Sequence, residues 1–163
     1  MTVLIGGESA NDMSAFGKEK NKELVERYPF LWPRDGWTGE KLQDYDYSYT
    51  ELDSMPVGWV KAFGEQMCEE IKQVLIQRGW MDEWYIFQLK EKFGAMRLYS
   101  NYTCEELDSI IDKYEVISEK TCVRCGKPAT HYTTGWILPF CDGCLDERDR
   151  KTARPIVNTG NIS

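Results

Sequence analysis

The sequence predicts an α+β fold in which amphipathic helices pack on a small antiparallel β-hairpin or sheet, followed by a C-terminal metal-binding module. Three patterns lead to this prediction. Apolar residues recur at helical spacing over residues 57–78, and apolar and polar residues alternate over 84–100. Two C-x-x-C pairs follow within residues 122–144.

The longest predicted helix spans residues 57–78. Pro56 stands just before it and Gly79 just after it, the usual placing of proline at a helix start and glycine past its end. A stripe of this kind is most often core packing, and we interpret it so. Its apolar members recur every fourth residue and are widened by two valines: Trp59, Phe63, Met67, Ile71, Leu75, Val60 and Val74.

Residues 84–100 are predicted to form a β-hairpin that turns at Gly94. Because successive strand side chains point to opposite faces, strict alternation divides them into two sets. The inner set is Tyr85, Phe87, Leu89, Phe93, Met96 and Leu98. The outer set is Trp84, Ile86, Gln88, Lys90, Lys92, Arg97 and Tyr99.

Two shorter helices and a long loop complete the predicted core. One helix runs from about Lys18 to Arg27. Another covers about 104–117, with Thr103 as its N-cap and Glu106 completing a capping box. Between the first helix and the longest one lies a packed loop, 29–56, which is rich in aromatic and acidic residues.

The charge distribution separates the chain into parts. Residues 1–120 carry 14 basic and 23 acidic side chains, whereas residues 121–163 carry six basic and four acidic ones. An acidic body is a poor general binder of nucleic acid, because affinity for phosphates comes from Lys and Arg. We therefore divide the chain into a core of 1–120, a metal module of 121–151 and a flexible tail of 152–163.

The N-terminal sequence indicates the compartment. Its apolar run is far too short to span a membrane, and it lacks the basic start of a secretion signal. We therefore expect a cytoplasmic protein that does not associate with membranes. In that compartment paired cysteines favour metal over disulfides.

Four of the six cysteines form two C-x-x-C pairs separated by fifteen residues. Zn²⁺ prefers four ligands in a tetrahedron, and one C-x-x-C turn brings two thiolates to the same ion. Gly126 lets the backbone swing around the metal. The spacing therefore predicts a zinc site with the ligands Cys122, Cys125, Cys141 and Cys144.

Residues 130–138 are expected to form a short hairpin, and the second cysteine pair to open a helix in CDGCLDERDRK. This order of knuckle, hairpin and helix resembles the treble-clef zinc finger. Since four thiolates leave no position for a catalytic water, a structural role for the metal is favoured. Two alternatives stay open: a finger that contacts nucleic acid, and a treble-clef nuclease, which the single histidine, His131, disfavours.

Two other surfaces are candidate binding sites. The outer hairpin face offers a cationic group suited to an anionic ligand such as a nucleotide phosphate: Lys90, Lys92, Arg97 and Tyr99. The long loop alternates acidic and aromatic residues, which suits a protein interface: Asp44, Tyr45, Asp46, Tyr47 and Tyr49. In both places the alternative is an ordinary solvated face, with the tyrosines capping the core.

Several stretches within residues 28–145 stand out together: YPFLWPRDGWTGE, DYDYSYTELDSMPVGWVKAFGEQMCEEI, LKEKFGAMRLY, and CGKPA followed by GWILPFCDGC. They resemble a family of small proteins encoded by bacteriophages and prophages that end in a four-cysteine zinc module. The resemblance implies a cytoplasmic accessory protein of an infected or lysogenic bacterium. Such proteins often bind host factors, including components of antiviral defence.

These observations combine into one expected function and one alternative. We expect a non-enzymatic, zinc-stabilised protein that binds a host protein or a small anionic ligand, and so inhibits antiviral defence by blocking a protein or sequestering a nucleotide. Self-association into a homo-oligomer is compatible with this. The alternative is a nucleic-acid-binding regulator that uses the zinc module and a basic C-terminal segment: Arg148, Arg150, Lys151 and Arg154.

Overall fold

The structure, a computed structural model, describes residues 14–157. Within them the fold is α+β, with four helices and two small antiparallel sheets, as the sequence predicts. The helices are α1 (Lys18–Arg27), α2 (Val57–Trp59, Val60–Gly64 and Glu65–Arg78 in succession), α3 (Glu105–Glu119) and α4 (Glu147–Arg150). The strands are β1 (Ile86–Lys92), β2 (Ala95–Ser100), β3 (His131–Tyr132), β4 (Pro139–Phe140) and β5 (Arg154–Pro155).

Helix α2 lies at the centre of the core, and its predicted stripe is confirmed. All seven members of the stripe are buried. The expected ends are also confirmed, since Pro56 caps the start and Gly79 adopts a left-handed φ of 72° at the end. A feature that was not predicted is the π-helical stretch Val60–Gly64. Residues four apart drift by about 40° around an ideal α-helix, and a wider π turn offsets part of that drift.

Helices α1 and α3 both contact α2 through side chains. The bounds of α1 match the prediction, and the Tyr28 hydroxyl at its end donates to Glu69 on α2 at 2.9 Å. On α3, the Tyr114 ring lies 5.4 Å from that of Phe63. These contacts join α2 to both shorter helices, and its apolar stripe is buried.

The predicted capping of α3 is wrong. Cys104, not Thr103, occupies the N-cap position, and no side-chain cap bond forms there. The Thr103 hydroxyl instead contacts the carboxylate of Asp108. Thr103 lies one residue too early because α3 begins at Glu105.

Strands β1 and β2 form the predicted hairpin, but its faces are only partly as predicted. From Gln88 onward the alternation is confirmed, with Leu89 and Leu98 paired on the buried face. Before that point it is wrong, because the strand register shifts between Ile86 and Gln88. A bulge of this kind turns the preceding residues over. Consequently Trp84 and Ile86 are buried, whereas Phe87 is 65% exposed.

The turn residue Phe93, predicted to point inward, is also exposed. Phe93 and Gly94 both adopt positive φ, at 54° and 83°. The turn thereby carries Phe93 off the sheet face. A positive φ is unusual for a bulky residue and costs conformational free energy there.

The first C-x-x-C turn is packed directly on the first turn of α2. The Gly58 N–H donates to the Val123 carbonyl at 2.8 Å, and the Trp59 indole donates to the Thr121 carbonyl at 2.8 Å. A Cβ at Gly58 would lie only 2.2 Å from the Cys122 carbonyl oxygen. Across the same contact, a Cβ at Gly126 would lie 2.7 Å from the Gly58 carbonyl oxygen. Two glycines therefore allow two backbones to touch.

The remaining strands form a small sheet in the order β4-β3-β5. Strand β5 pairs with β3, so the predicted tail begins with a paired strand, while residues 158–163 lie outside the described part. No helix among residues 14–157 combines the length and the apolar character that crossing a membrane requires.

The close approach at Gly58 yields a prediction. Gly58→Ala should lower the free energy of unfolding by about 3 kcal/mol, because the added methyl must push apart two backbones that side-chain motion cannot relieve. Thermal and denaturant unfolding measure the change. The control is Gly36→Ala, where an added Cβ meets nothing within 4 Å. Equal stability of the two variants would contradict the packing described.

Candidate metal centre

Two tight turns and a hairpin bring the four cysteines together. In the first turn the Gly126 N–H donates to the Cys122 carbonyl at 3.1 Å, and Gly126 has a φ of 84°. In the second the Cys144 N–H donates to the Cys141 carbonyl at 3.2 Å. Strands β3 and β4 connect the turns, and the Leu138 N–H bonds the Thr133 hydroxyl at 3.0 Å in the loop between them. The predicted hairpin of 130–138 is thus present.

The four thiols have the arrangement of a tetrahedral metal site. The Sγ atoms of Cys122, Cys125, Cys141 and Cys144 all lie within 4.8 Å of one another. Zinc–sulfur bonds of about 2.3 Å in a tetrahedron require sulfurs about 3.8 Å apart. The Sγ atoms of Cys125 and Cys141 are 3.5 Å apart. The donor set and spacing therefore fit Zn²⁺.

The thiols of the cluster differ in how readily they ionise. Burial alone would raise the pKa of Cys122, but backbone N–H groups of Cys125, Cys141 and Arg124 hydrogen-bond its sulfur and lower that pKa to about 6. Burial raises the pKa of Cys144 to about 12, and the neighbouring thiols add to the rise. Only a cation between the sulfurs would stabilise all four as thiolates. Metal binding should therefore release protons.

The site has the chemistry of a structural metal. Four thiolates complete a tetrahedron, so no ligand position remains for water. His131 lies in β3, where its Nδ1 is 2.9 Å from the Thr130 hydroxyl. It belongs to the sheet rather than to the thiol cluster.

The second cysteine pair departs from one expectation. Cys141 and Cys144 lie in a turn that precedes α4, not in the first turn of a helix, and α4 starts only after the N-cap Asp146. Arg150 of α4 reaches back to this turn. Its guanidinium donates to the carbonyls of Asp142 and Leu145, each at 2.9 Å. The short helix thus anchors the turn from outside.

The partners of Arg150 reduce the number of free charges in the basic C-terminal segment. Arg150 also pairs with the Asp142 carboxylate at 2.7 Å, so its charge is used within the module. The other three members of the segment are exposed: Arg148, Lys151 and Arg154.

The cationic hairpin face is only partly available to an anion. Lys90 and Arg97 lie opposite each other in the register of β1 and β2, and Tyr99 is exposed. However, the Arg97 guanidinium forms an ion pair with Glu115 of α3 at 2.7 Å. The adjoining groove of residues 97–115 is also lined by Asp108 and Asp112.

The aromatic and acidic residues of the loop form an ordered cluster. The Tyr45 ring lies 4.9 Å from that of Trp32 and 4.8 Å from that of Tyr47, and the Tyr45 hydroxyl donates to the Tyr49 carbonyl. Burial raises the pKa of Tyr45, as expected for a phenol inside such a cluster. The tyrosines therefore partly cap the core, while Asp44 and Asp46 remain exposed.

The sequence reasoning did not single out Trp37, which is 98% exposed. It sits at the tip of residues 34–41, here called the Trp37 loop. The Asp35 carboxylate accepts the N–H groups of Trp37 and Thr38 at 2.7 and 2.9 Å, which lowers its pKa. Asp35-Gly36 ahead of a tryptophan and Thr38-Gly39 after it are turn signals that mark an aromatic tip.

The Trp37 loop is also fixed at its base. The Arg34 guanidinium donates to the Gly39 carbonyl at 2.6 Å and lies 4.3 Å from the centre of the Tyr85 ring. The Asp35 N–H donates to the Glu40 carbonyl at 2.8 Å. The loop is therefore held in one shape while its tryptophan remains in solvent.

Comparison with known proteins adds no relative. No protein-family model matches the chain, and no curated protein or solved structure matches it either.

The metal centre yields the second prediction. The protein should carry a single zinc per chain, and Cys125→Ser should lose it because serine is not a thiolate ligand. Native mass spectrometry measures the metal. Cys104→Ser is the control, since Cys104 lies outside the cluster and serine is a favoured N-cap. Zinc retained by Cys125→Ser, or absent from the unaltered protein, would contradict the assignment.

Half-buried Glu51 yields the third prediction. Burial raises the pKa of its carboxyl to about 6, and the Ser54 hydroxyl offsets this only in part. The folded protein therefore loses stability as pH rises from about 4.5 through about 6, since ionisation is less favourable in the folded state. Glu51→Gln should be more stable by about 1–2 kcal/mol at pH 8 and by less than half as much at pH 5.

Unfolding at the two pH values measures this difference. Exposed Glu40 of the Trp37 loop supplies the control, Glu40→Gln. A gain for Glu51→Gln of the same size at both pH values would show that burial of the charge is not its cause.

Proposed function

We propose that this chain is a zinc-stabilised, non-enzymatic accessory protein of a bacteriophage or prophage that binds a host protein in the bacterial cytoplasm. Its binding surface is the Trp37 loop together with the neighbouring aromatic and acidic residues of 42–49. Binding there would block the host protein, for which a component of antiviral defence is the leading class.

The observation that carries the proposal is the exposure of Trp37 on a rigid loop. A tryptophan in solvent gains nothing for the fold, yet five hydrogen bonds and a stacked arginine hold its loop in place. Tryptophan is among the residues most enriched at the energetic centres of interfaces. A loop fixed before binding also reduces the conformational entropy lost on association.

A protein partner is favoured over a nucleotide. Arg97, the best cation of the hairpin face, is already paired with Glu115, and two further carboxylates line the groove beside it. An anion would have to compete with Glu115 for the arginine. The acidic loop would repel an anion as well.

A non-enzymatic role and a treble-clef-like module are part of the same proposal. The four-thiolate site offers no open ligand position, which supports a structural metal. The order of cysteine turn, hairpin, second cysteine turn and short helix supports the treble-clef likeness. The family resemblance of residues 28–145 supports the phage origin.

A capture experiment tests the proposal. Immobilised zinc-loaded protein should retain one host protein from lysates of candidate bacterial hosts, and Trp37→Ala should weaken that retention by about tenfold or more, as expected for an interface hot spot. Trp136→Ala is the control, because Trp136 is also an exposed tryptophan but lies on the zinc hairpin.

Zinc content and melting temperature should be unchanged in both variants, so a loss of capture would report binding. Retention that survives Trp37→Ala would contradict the proposed surface. Efficient turnover of nucleotides or nucleic acid by the purified protein would contradict the non-enzymatic role.

A further inference from the structure

A small cleft lies at the base of the Trp37 loop. Its walls are the loop itself, Glu51 of the 3-10 turn Glu51–Ser54, and residues 85–87 where β1 begins. Its volume is about 80 Å³. Sites for nucleotides and drug-sized ligands measure about 300–1,000 Å³, so this cleft admits only the end of one side chain or a similarly small group.

The cleft contains a carboxylate that lacks a cationic partner. Glu51 is half-buried, its only hydrogen bond is a long one from the Ser54 hydroxyl at 3.4 Å, and it makes no ion pair within residues 14–157. Partial burial of an unpaired charge is costly. The raised pKa of this carboxyl reflects that cost.

Among residues 14–157, the cationic side chain that lines the cleft already has other partners. Arg34 lines the same cleft, but its guanidinium donates to the Gly39 carbonyl and stacks on the Tyr85 ring. Asp35, the second carboxylate of the lining, accepts two backbone N–H groups and keeps a low pKa. Arg34 therefore lines the cleft without neutralising Glu51. The charged groups that a ligand in the cleft would meet are the carboxylates.

The rim of the cleft is aromatic. Trp37 is 98% and Phe87 is 65% exposed, and both contribute to the lining. Arginine and lysine lay their apolar stems along aromatic surfaces while the charged end reaches a carboxylate. An aromatic rim above an unpaired carboxylate is thus complementary to a long cationic side chain.

We propose that this cleft binds an arginine or lysine side chain from a basic segment of the protein partner, with Glu51 pairing the charged end and Trp37 and Phe87 flanking the stem. The inference rests on the proposed function, which supplies the protein partner, and adds that the docking segment of this partner is basic. The wider surface agrees, because loop 29–56 carries six acidic and only two basic side chains. Such a surface would attract a basic segment and repel nucleic acid.

The test uses synthetic peptides and does not require the partner. Fluorescently labelled Gly-Arg repeats of seven residues are compared with matched peptides in which citrulline, a neutral isostere, or lysine replaces arginine. Fluorescence anisotropy at pH 7.5 and physiological salt measures affinity for the zinc-loaded protein. NMR spectra of the indole N–H groups report whether Trp37 or Trp136 is perturbed.

The arginine peptide should bind, the citrulline peptide should bind at least about tenfold more weakly, and Glu51→Gln should remove about the same factor for arginine, as expected for one charge-assisted contact. Glu26→Gln should change affinity by less than about twofold, because Glu26 is an exposed charge on α1, outside the cleft and the proposed binding surface. The indole signal of Trp37 should shift and that of Trp136 should not. Glu51→Gln is expected to fold at least as well as the unaltered protein, so a loss of binding would not reflect misfolding.

Several results would overturn the inference. Equal binding of arginine and citrulline peptides, or undiminished binding to Glu51→Gln, would exclude recognition of charge by this cleft. Spermidine binding as tightly as the arginine peptide would indicate a small-cation site instead of a protein-docking cleft. If host capture were lost in Trp37→Ala but kept in Glu51→Gln, the inference would fail while the proposed function stood. Loss of capture in both would support the two together.

Discussion

The contact between the first C-x-x-C turn and the first turn of α2 is the constraint on which most of the structure depends. At Gly58 and Gly126 two backbones touch without intervening side chains. The Gly58 N–H and the Trp59 indole both bond carbonyls of the 121–123 segment. The turn that carries two of the candidate metal ligands is therefore packed into the base of the central helix rather than attached beside it. Because metal ligation in small modules supplies folding free energy, zinc here would stabilise the core as well as the module.

The sequence was most informative where one physical requirement sets the pattern. The helical stripe of α2 could be predicted because burial alone selects it, and the clustering of the four cysteines because tetrahedral thiolate coordination would fix their spacing. The faces on which Trp84, Ile86 and Phe87 lie could not be predicted. The register shift between Ile86 and Gln88 inverts the alternation of buried and exposed side chains, and nothing in the local sequence encodes it. The placing of Gly58 against Cys122 depends on residues more than sixty positions apart. Composition and periodicity carry no information on such a contact.

The binding surfaces also could be predicted only in part from the sequence. A cluster of lysine and arginine on a hairpin face looks like an anion site, but pairing of Arg97 with Glu115 across the fold could not be read from the strand alone. Conversely, turn signals place Trp37 at a loop tip, but only its exposure in the folded protein identifies it as a candidate surface anchor. Both observations favour the same binding chemistry. The surface left over once internal pairs are counted is aromatic and acidic, which suits a basic protein segment.

Hydrogen exchange before and after zinc removal tests the central claim most directly. Amide protection would be followed in α2 and in the module, with zinc withdrawn by a chelator under reducing conditions. The account predicts that α2, especially its first turns, loses protection together with residues 121–145, because one contact stabilises both. If residues 121–145 lost protection while α2 kept its own, the metal module would be an independent appendage, contrary to the packing at Gly58.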